Sequence, residues 1–382
     1  MGRVTAVFQR IPSSLKVAIL IVLLAKLLVF SIGYATTYLN EGAASPLTIV
    51  MNEFNRWDAP HYLDIAKNWY VSNPALDPYN FIVFFPLYPV LIRLTTLDFA
   101  YAGLSALVVS NVCSIAAFVY LWKLTKLDFD KGVAQKAVVF LSIFPTAYFL
   151  SAPYTEGLFF ALGIASIYYG RLAKWPLAGV LGMLASLTRI AGLLLLPTLL
   201  VEYLYQKGWR LRKIGIRKID VNILWIAFIV LGFLIYLNIN NQVTGSPFTF
   251  LEVQRTHWFN TIDPVTGLMR ALGNIRSSFP SSITIGAAPI IFALGGILAV
   301  GVGLLRRLRP SYIMYLLLTW MLAVSTGWWI SVPRYVMSMF PMFILLASLS
   351  RRKMVTLLIG AVFLAGLCFF TMLFATAGVW AF

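Results

Sequence analysis

Eleven apolar runs follow one another along this chain, each bounded by a short polar or basic break. They are Leu15–Leu39, Tyr101–Trp122, Ala137–Ala152, Leu158–Tyr169, Pro176–Leu187, Leu193–Tyr205, Val221–Ile239, Gly286–Leu305, Tyr312–Ile330, Met337–Leu349 and Val355–Phe374. A helix crossing a hydrocarbon core needs roughly 20 apolar residues. The pattern therefore predicts an all-α polytopic membrane protein with about eleven transmembrane helices. Phe81–Leu97 is also apolar, but Pro86, Pro89 and Arg93 interrupt it. It is read as a helix lying at the outer interface, within a large first outer loop, Glu41–Leu97. Asn240–Ile285 is a second large outer loop.

Composition agrees with this reading. Of 382 residues, 60% are hydrophobic and only 11% are charged, whereas a soluble domain carries about 25% charged residues. The formal net charge of +17 would suit a nucleic-acid partner, but its placement argues against one. The basic residues gather at Arg3/Arg10/Lys16, Lys123–Lys136, Arg171/Lys174, Lys207–Lys218, Arg306–Arg309 and Arg351–Lys353. Each group lies between apolar runs, as cytoplasmic loops do under the positive-inside rule. The N-terminus is then inside and the C-terminus outside. Cys113 and Cys368 lie far apart within apolar runs, which predicts neither a disulfide framework nor a thiolate metal site. Gly42-Ala43-Ala44-Ser45 imitates a signal cleavage site, yet the run before it is span-length and is read as an uncleaved anchor.

With this topology most acids fall on the outer side, Asp77 among them, and only Asp128, Asp130, Glu202 and Asp220 fall inside. Candidate chemistry is therefore sought outside, above all in Asn55-Arg56-Trp57-Asp58-Ala59-Pro60-His61-Tyr62-Leu63-Asp64 and in Phe84-Phe85-Pro86-Leu87-Tyr88-Pro89. Asp58 precedes a proline suited to the first turn of a helix and could cap it. That helix would turn His61, Asp64 and Asn68 to a polar side and Tyr62, Ile65, Ala66 and Trp69 toward lipid. Asp58 could equally serve as a base for an acceptor hydroxyl. His61 reads as an orienting or hydrogen-bonding group and Asp64 as a contact to a sugar hydroxyl. No His or Cys cluster accompanies them, so no metal or other cofactor is expected. Glu156, in Ser151-Ala152-Pro153-Tyr154-Thr155-Glu156-Gly157, stands at a span rim, where an ionised carboxylate is costly unless paired or hydrated. Arg189 and Arg334 are cations at the outer rim. They could snorkel to headgroups or hold a lipid phosphate bidentately. Gln254-Arg255-Thr256-His257-Trp258 adds a polar and aromatic cluster.

These stretches resemble the PIG-V family, which provides the second mannosyltransferase of glycosylphosphatidylinositol-anchor assembly, and its shorter prokaryotic relatives. The resemblance is carried by Arg56-Trp57-Asp58-Ala59-Pro60-His61-Tyr62, Phe84-Phe85-Pro86-Leu87-Tyr88-Pro89, Phe144-Pro145 through Tyr154-Thr155-Glu156, Ser186-Leu187-Thr188-Arg189 and Pro333-Arg334-Tyr335. It implies a GT-C glycosyltransferase fold with its active site outside or lumenal. It also implies a polyprenyl-phosphate mannose donor and inversion at the anomeric carbon without a required metal. Trp57 and Asp58 match the family's signature pair of the first lumenal loop. The expected catalytic residue is Asp58. The expected substrate-binding residues are Arg56, Trp57, His61, Asp64, Tyr88, Tyr154, Glu156, Arg189, His257, Trp258, Arg334 and Tyr335. The chain is compact for an anchor-pathway enzyme, so the acceptor is left as a lipid-linked glycan, a glycolipid or a protein beside the membrane.

Residues 1–207, with the catalytic loop 40–97, are expected to form the GT-C module. Residues 208–382 are expected to form a variable C-terminal module of the same membrane domain. The location is a prokaryotic plasma membrane, or the endoplasmic reticulum in a eukaryote. A transporter or flippase of lipid-linked glycans is the competing class. It would place polar groups at mid-membrane on broken helices of two related halves; Lys26 is the clearest charge deep in a span.

Overall fold

The computed structural model describes residues 12–42, 45–70, 80–208 and 220–376. Arg3, Arg10, the Ala43-Ala44 step, Asp77 and the basic run from Arg210 to Lys218 lie outside these residues. The described chain is helical, and its helices follow the apolar runs. Five are long and apolar enough to cross a membrane: Ser13–Asn40, Phe99–Thr125, Asn222–Thr244, Ser282–Leu305 and Lys353–Ala375. Trp329–Met337 and Pro341–Leu349, bent by 66°, make a sixth if they form one broken span. The protein is an integral membrane protein.

The remaining runs fold into shorter helices. Trp175–Ser186, Ile190–Gln206 and Pro310–Val324 are apolar segments of this kind. The run expected over Ala137–Ala152 stops early, as the helix Lys131–Ser142 followed by a 3-10 turn at Ala147–Leu150. Pro145 explains the break, because a proline has no N–H for the ladder and restricts the residue before it. Leu87–Thr95 has nine residues, about 14 Å of helix, and is too short to span.

Close helix crossings hold the bundle together, and small residues make them possible. The helix Trp175–Ser186 lies against Asn222–Thr244 so tightly that a Cβ on Gly179 would come within 1.9 Å of the Trp225 carbonyl oxygen. A Cβ on Gly232 would come within 2.2 Å of the Met183 carbonyl oxygen. Glu156–Arg171 approaches Ala102–Thr125 in the same way at Gly157, 2.4 Å from the Ser110 oxygen.

One end of the bundle is tied by an ionic layer drawn from four separate segments. Arg171 Nη1 and Nη2 donate to the two oxygens of Asp128 at 2.6 and 2.7 Å, and the Tyr312 hydroxyl donates to Asp128 at 3.0 Å. Glu202 accepts from Arg309 Nε and Nη2 at 2.8 and 2.6 Å and from Ser311 Oγ at 2.7 Å. Arg171 and Arg309, both placed on the basic side by their sequence context, thus share one face with Asp128 and Glu202.

The crossing at Gly179 sets an expectation for stability. Gly179→Ala should lower the unfolding temperature in detergent, at a cost of about 1–3 kcal/mol for overpacking. A Cβ on Gly163 meets nothing within 4 Å, so Gly163→Ala should match or exceed the parent through helix propensity. Thermal unfolding followed by size exclusion compares the two; equal stability would remove the close crossing from the account.

Candidate active site

The first loop enters the site through a strained residue. Trp57 has φ +56°, a left-handed conformation uncommon for a bulky side chain. It turns the chain so that Asp58 faces inward before the helix Ala59–Asn68 begins. The Asp58 side chain does not cap that helix, unlike the capping reading above. It accepts a hydrogen bond from Arg334 Nη1 at 2.7 Å instead. A strut behind it fixes the backbone: the Tyr154 hydroxyl donates to the Arg56 carbonyl at 2.7 Å and accepts from the Asp58 N–H at 3.3 Å. Ala59, Tyr62, Ile65 and Ala66 are buried, and Tyr62 packs edge-on against Tyr88 and Tyr154. This face of the helix meets protein where the sequence pattern had placed it toward lipid, because Phe84, Tyr88, Tyr154 and the helix Ala102–Thr125 cover it.

Arg334 lies on the short helix Val332–Met337, which the Thr146 hydroxyl holds by donating to the Pro333 carbonyl at 3.3 Å. Its Nε donates to Glu156 Oε1. Its guanidinium lies over the rings of Phe149 and Tyr154, 4.7 and 4.8 Å from their centroids. Arg189 has extended backbone just before the 3-10 turn Ile190–Leu194. Its Nη1 donates to Glu156 Oε1 and to Thr155 Oγ1 at 3.1 Å. The guanidinium sits 5.4 Å from the Tyr335 ring centroid. Four charges thus form one neutral cluster.

The two carboxylates are not equivalent. The Glu156 side chain is 1% exposed and held by both arginines. The Asp58 side chain is 25% exposed and pairs with Arg334. Asp58 is the acid of the cluster that an incoming molecule can reach.

The other candidates divide into two groups. His61 stands in an aromatic wall with Phe81, Phe84 and Trp258, at centroid separations of 5.0, 5.1 and 5.9 Å. His257 packs against Trp258, so the second loop closes on the first. Burial pushes the His61 imidazole below its usual range, against the pull of the Asp58 and Asp64 carboxylates, which favours a neutral ring. Trp57 packs against the main apolar core. Asp64 and Tyr88 are placed elsewhere. Asp64 accepts from Asn68 at 2.8 Å and faces a separate cavity with Asn52, Asn55 and Lys67. Tyr88 is fully buried, its hydroxyl 3.0 Å from the Ala106 carbonyl and 2.7 Å from Ser110 Oγ. Phe149, Thr155 and Tyr62 join the cluster without having been singled out in the sequence. Thr155 adjoins Glu156 in a quoted stretch, whereas nothing in the pattern marks Phe149. Among the described residues no three His, Cys, Asp or Glu side chains gather as a metal-binding group.

The comparison with known families now has a geometry to attach to. Residues 35–205 match the mannosyltransferase (PIG-V) family. The resemblance read from the motifs is borne out by that match, which takes in Asp58, Glu156 and Arg189 and ends before Arg334. No curated protein matches the chain. Two crystal structures of the Archaeoglobus fulgidus oligosaccharyltransferase are similar in shape. One is tethered with an acceptor peptide containing the NVT sequon, with TM-score 0.47, 11% identity, and 94% of this chain and 54% of that one covered. The other is the apo form, with TM-score 0.47, 13% identity and coverage of 95% and 56%. The chain spans about half the length of these structures.

The shared carboxylate predicts an asymmetry. Glu156→Gln keeps an acceptor oxygen but removes the negative charge that two buried guanidiniums share, and should cost about 3–5 kcal/mol. Asp58→Asn leaves Arg334 bonded to Glu156 and should cost much less. Unfolding temperatures of the two variants measure this directly; equal losses would place the structural burden on Asp58.

Proposed function

We propose that this protein is a membrane mannosyltransferase of GT-C type. In this reading it moves mannose from a polyprenyl-phosphate donor to a hydroxyl of a lipid-linked glycan, glycolipid or membrane-proximal protein, on the outer or lumenal face. The observation that carries the reading is the reachable Asp58 carboxylate, inside the region of the family match, held by Arg334 from beyond it.

Asp58 takes the proton of the acceptor hydroxyl as its oxygen attacks the anomeric carbon. The bond from that carbon to the phosphate oxygen breaks, and the phosphate departs with the electron pair. A cation at the departing phosphate lowers the cost of that charge, and a guanidinium can grip it bidentately. Arg189 bonds Thr155 and Glu156 through Nη1, and its other edge can take phosphate oxygens. Arg334 can exchange its bond to Asp58 for one to the donor, and the same exchange releases Asp58 to act as base. Retention by double displacement would need a carboxylate nucleophile beside the acid. Glu156, enclosed by two arginines, is poorly suited to that role, and this supports single displacement with inversion. His61, His257 and Trp258 form the wall against which a sugar ring can pack.

Asp58→Asn keeps shape and one acceptor oxygen. It should reduce single-turnover transfer from bound polyprenyl-phosphate mannose by about 10²–10⁴-fold, the range for loss of a general base, with folding intact. Transfer at the parent rate would move the base elsewhere. Arg189→Lys keeps the charge and loses the planar fork, so donor affinity should fall while the acceptor dependence stays. The side of the membrane is tested in a background lacking Cys113 and Cys368. A cysteine at Lys67 should react with an impermeant reagent from outside and one at Lys207 only from the cytoplasm; the reverse would overturn the orientation.

A further inference from the structure

A second cavity, of about 710 Å³, opens along the helix Ser13–Glu41. Leu23, Leu27 and Val108 line it and are 47%, 62% and 51% exposed. They belong to two helices of span length, so in a membrane the cavity opens sideways onto lipid. Lys26, Asn111 and Glu53 face this largely apolar slot, with the hydroxyl-bearing Ser31 and Tyr34 beside them.

Their hydrogen bonding is unequal. The Lys26 ammonium donates to Asn111 Oδ1 at 2.8 Å, to the Leu150 carbonyl at 2.8 Å and to Ser151 Oγ at 3.2 Å, which uses all three of its protons. Glu53 is 0% exposed, and neither of its carboxyl oxygens has a hydrogen-bond partner among the described residues. Buried polar groups ordinarily have partners, so this carboxyl can take one from a bound group. Burial pushes it up to about 8, so near neutral pH it can both donate and accept. A lone anion in the slot would face Glu53 when that group is ionised, and a lone cation would face Lys26. An uncharged, hydroxylated group suits both.

We propose that this cavity binds a membrane lipid with a neutral, hydroxyl-rich head group, the head bonded to Glu53 and the tails lying against Leu23, Leu27 and Val108. Glu53 and Asp58 lie on one short connection, and Phe54 touches Phe374, which in turn touches Tyr154. The slot therefore adjoins the catalytic cluster. As the berth of the acceptor lipid it rests on the transferase reading; as a lipid site it stands on its own.

The full chain in nanodiscs is loaded with a diazirine-tailed monohexosyl diacylglycerol. Phosphatidic acid and phosphatidylethanolamine with the same tails serve as comparison arms, and adducts are mapped by mass spectrometry after irradiation. Adducts are expected on Leu23–Ser31 and Leu104–Ile115, favouring the glycolipid by about five-fold, the worth of one net hydrogen bond. Glu53→Leu should abolish that preference. Leu27→Trp, at an exposed position that leaves folding alone, should block labelling by filling the slot. Asp58→Asn should label like the parent. Equal labelling by all three lipids, or unchanged labelling in Leu27→Trp, would overturn the proposal. Labelling that holds while mannosyl transfer is not found sinks the transferase reading alone. Transfer without slot labelling sinks the lipid site alone.

Discussion

A single carboxylate oxygen, Glu156 Oε1, accepts from guanidinium groups 33 and 178 positions away in the chain. Removing an ion from water costs several kcal/mol even after relaxation, so such a group persists only when its partners are also fixed. Here each partner is fixed from behind. Arg189 rests on Tyr335 and bonds Thr155; Arg334 rests on Phe149 and Tyr154, on a short helix tied through Thr146. The cluster therefore aligns the helix Glu156–Arg171, the break at Arg189 and the bent segment at Arg334 together. Asp58 is attached to that frame through Arg334 rather than part of its foundation.

The frame draws on both parts of the chain. Arg334 comes from beyond residue 208, while Asp58, Glu156 and Arg189 come from before it. The closest helix crossing, at Gly179 and Gly232, also joins a helix from each side of that boundary. The aromatic wall has the same character, since Trp258 from the second loop packs on His61 and Phe84 from the first. The groups of the candidate site are thereby set by contacts between distant segments.

This explains what could be read from the residues alone. Apolar runs fixed the helices because span length and breaks are local properties, and polar islands at Asp58, Glu156, Arg189 and Arg334 stood out because charge is rare in such a chain. The pairing among them was not legible. The Asp58–Arg334 bond joins positions 276 apart, and no local pattern records that register. Asp64 and Tyr88 looked equivalent to their neighbours because helix phase within a short loop depends on what covers it. Tyr62 and Ile65 read as lipid-facing for the same reason. Basic residues such as Arg171 and Arg309 were read only for sidedness, and their second task, pairing with Asp128 and Glu202, emerged with the fold.

The two ionic layers are joined by one helix, with Glu156 at its first residue and Arg171 at its last. Its 16 residues cover about 24 Å at 1.5 Å per residue, less than the roughly 30 Å thickness of a hydrocarbon core. Helices on the periphery are longer, 29 residues for Ser13–Glu41 and 23 for Lys353–Ala375. The helix that joins the two layers is therefore shorter than a hydrocarbon core is thick. Each layer ties one of its ends to neighbouring segments, and in surroundings of lower dielectric than water each of these Coulombic contacts is strengthened.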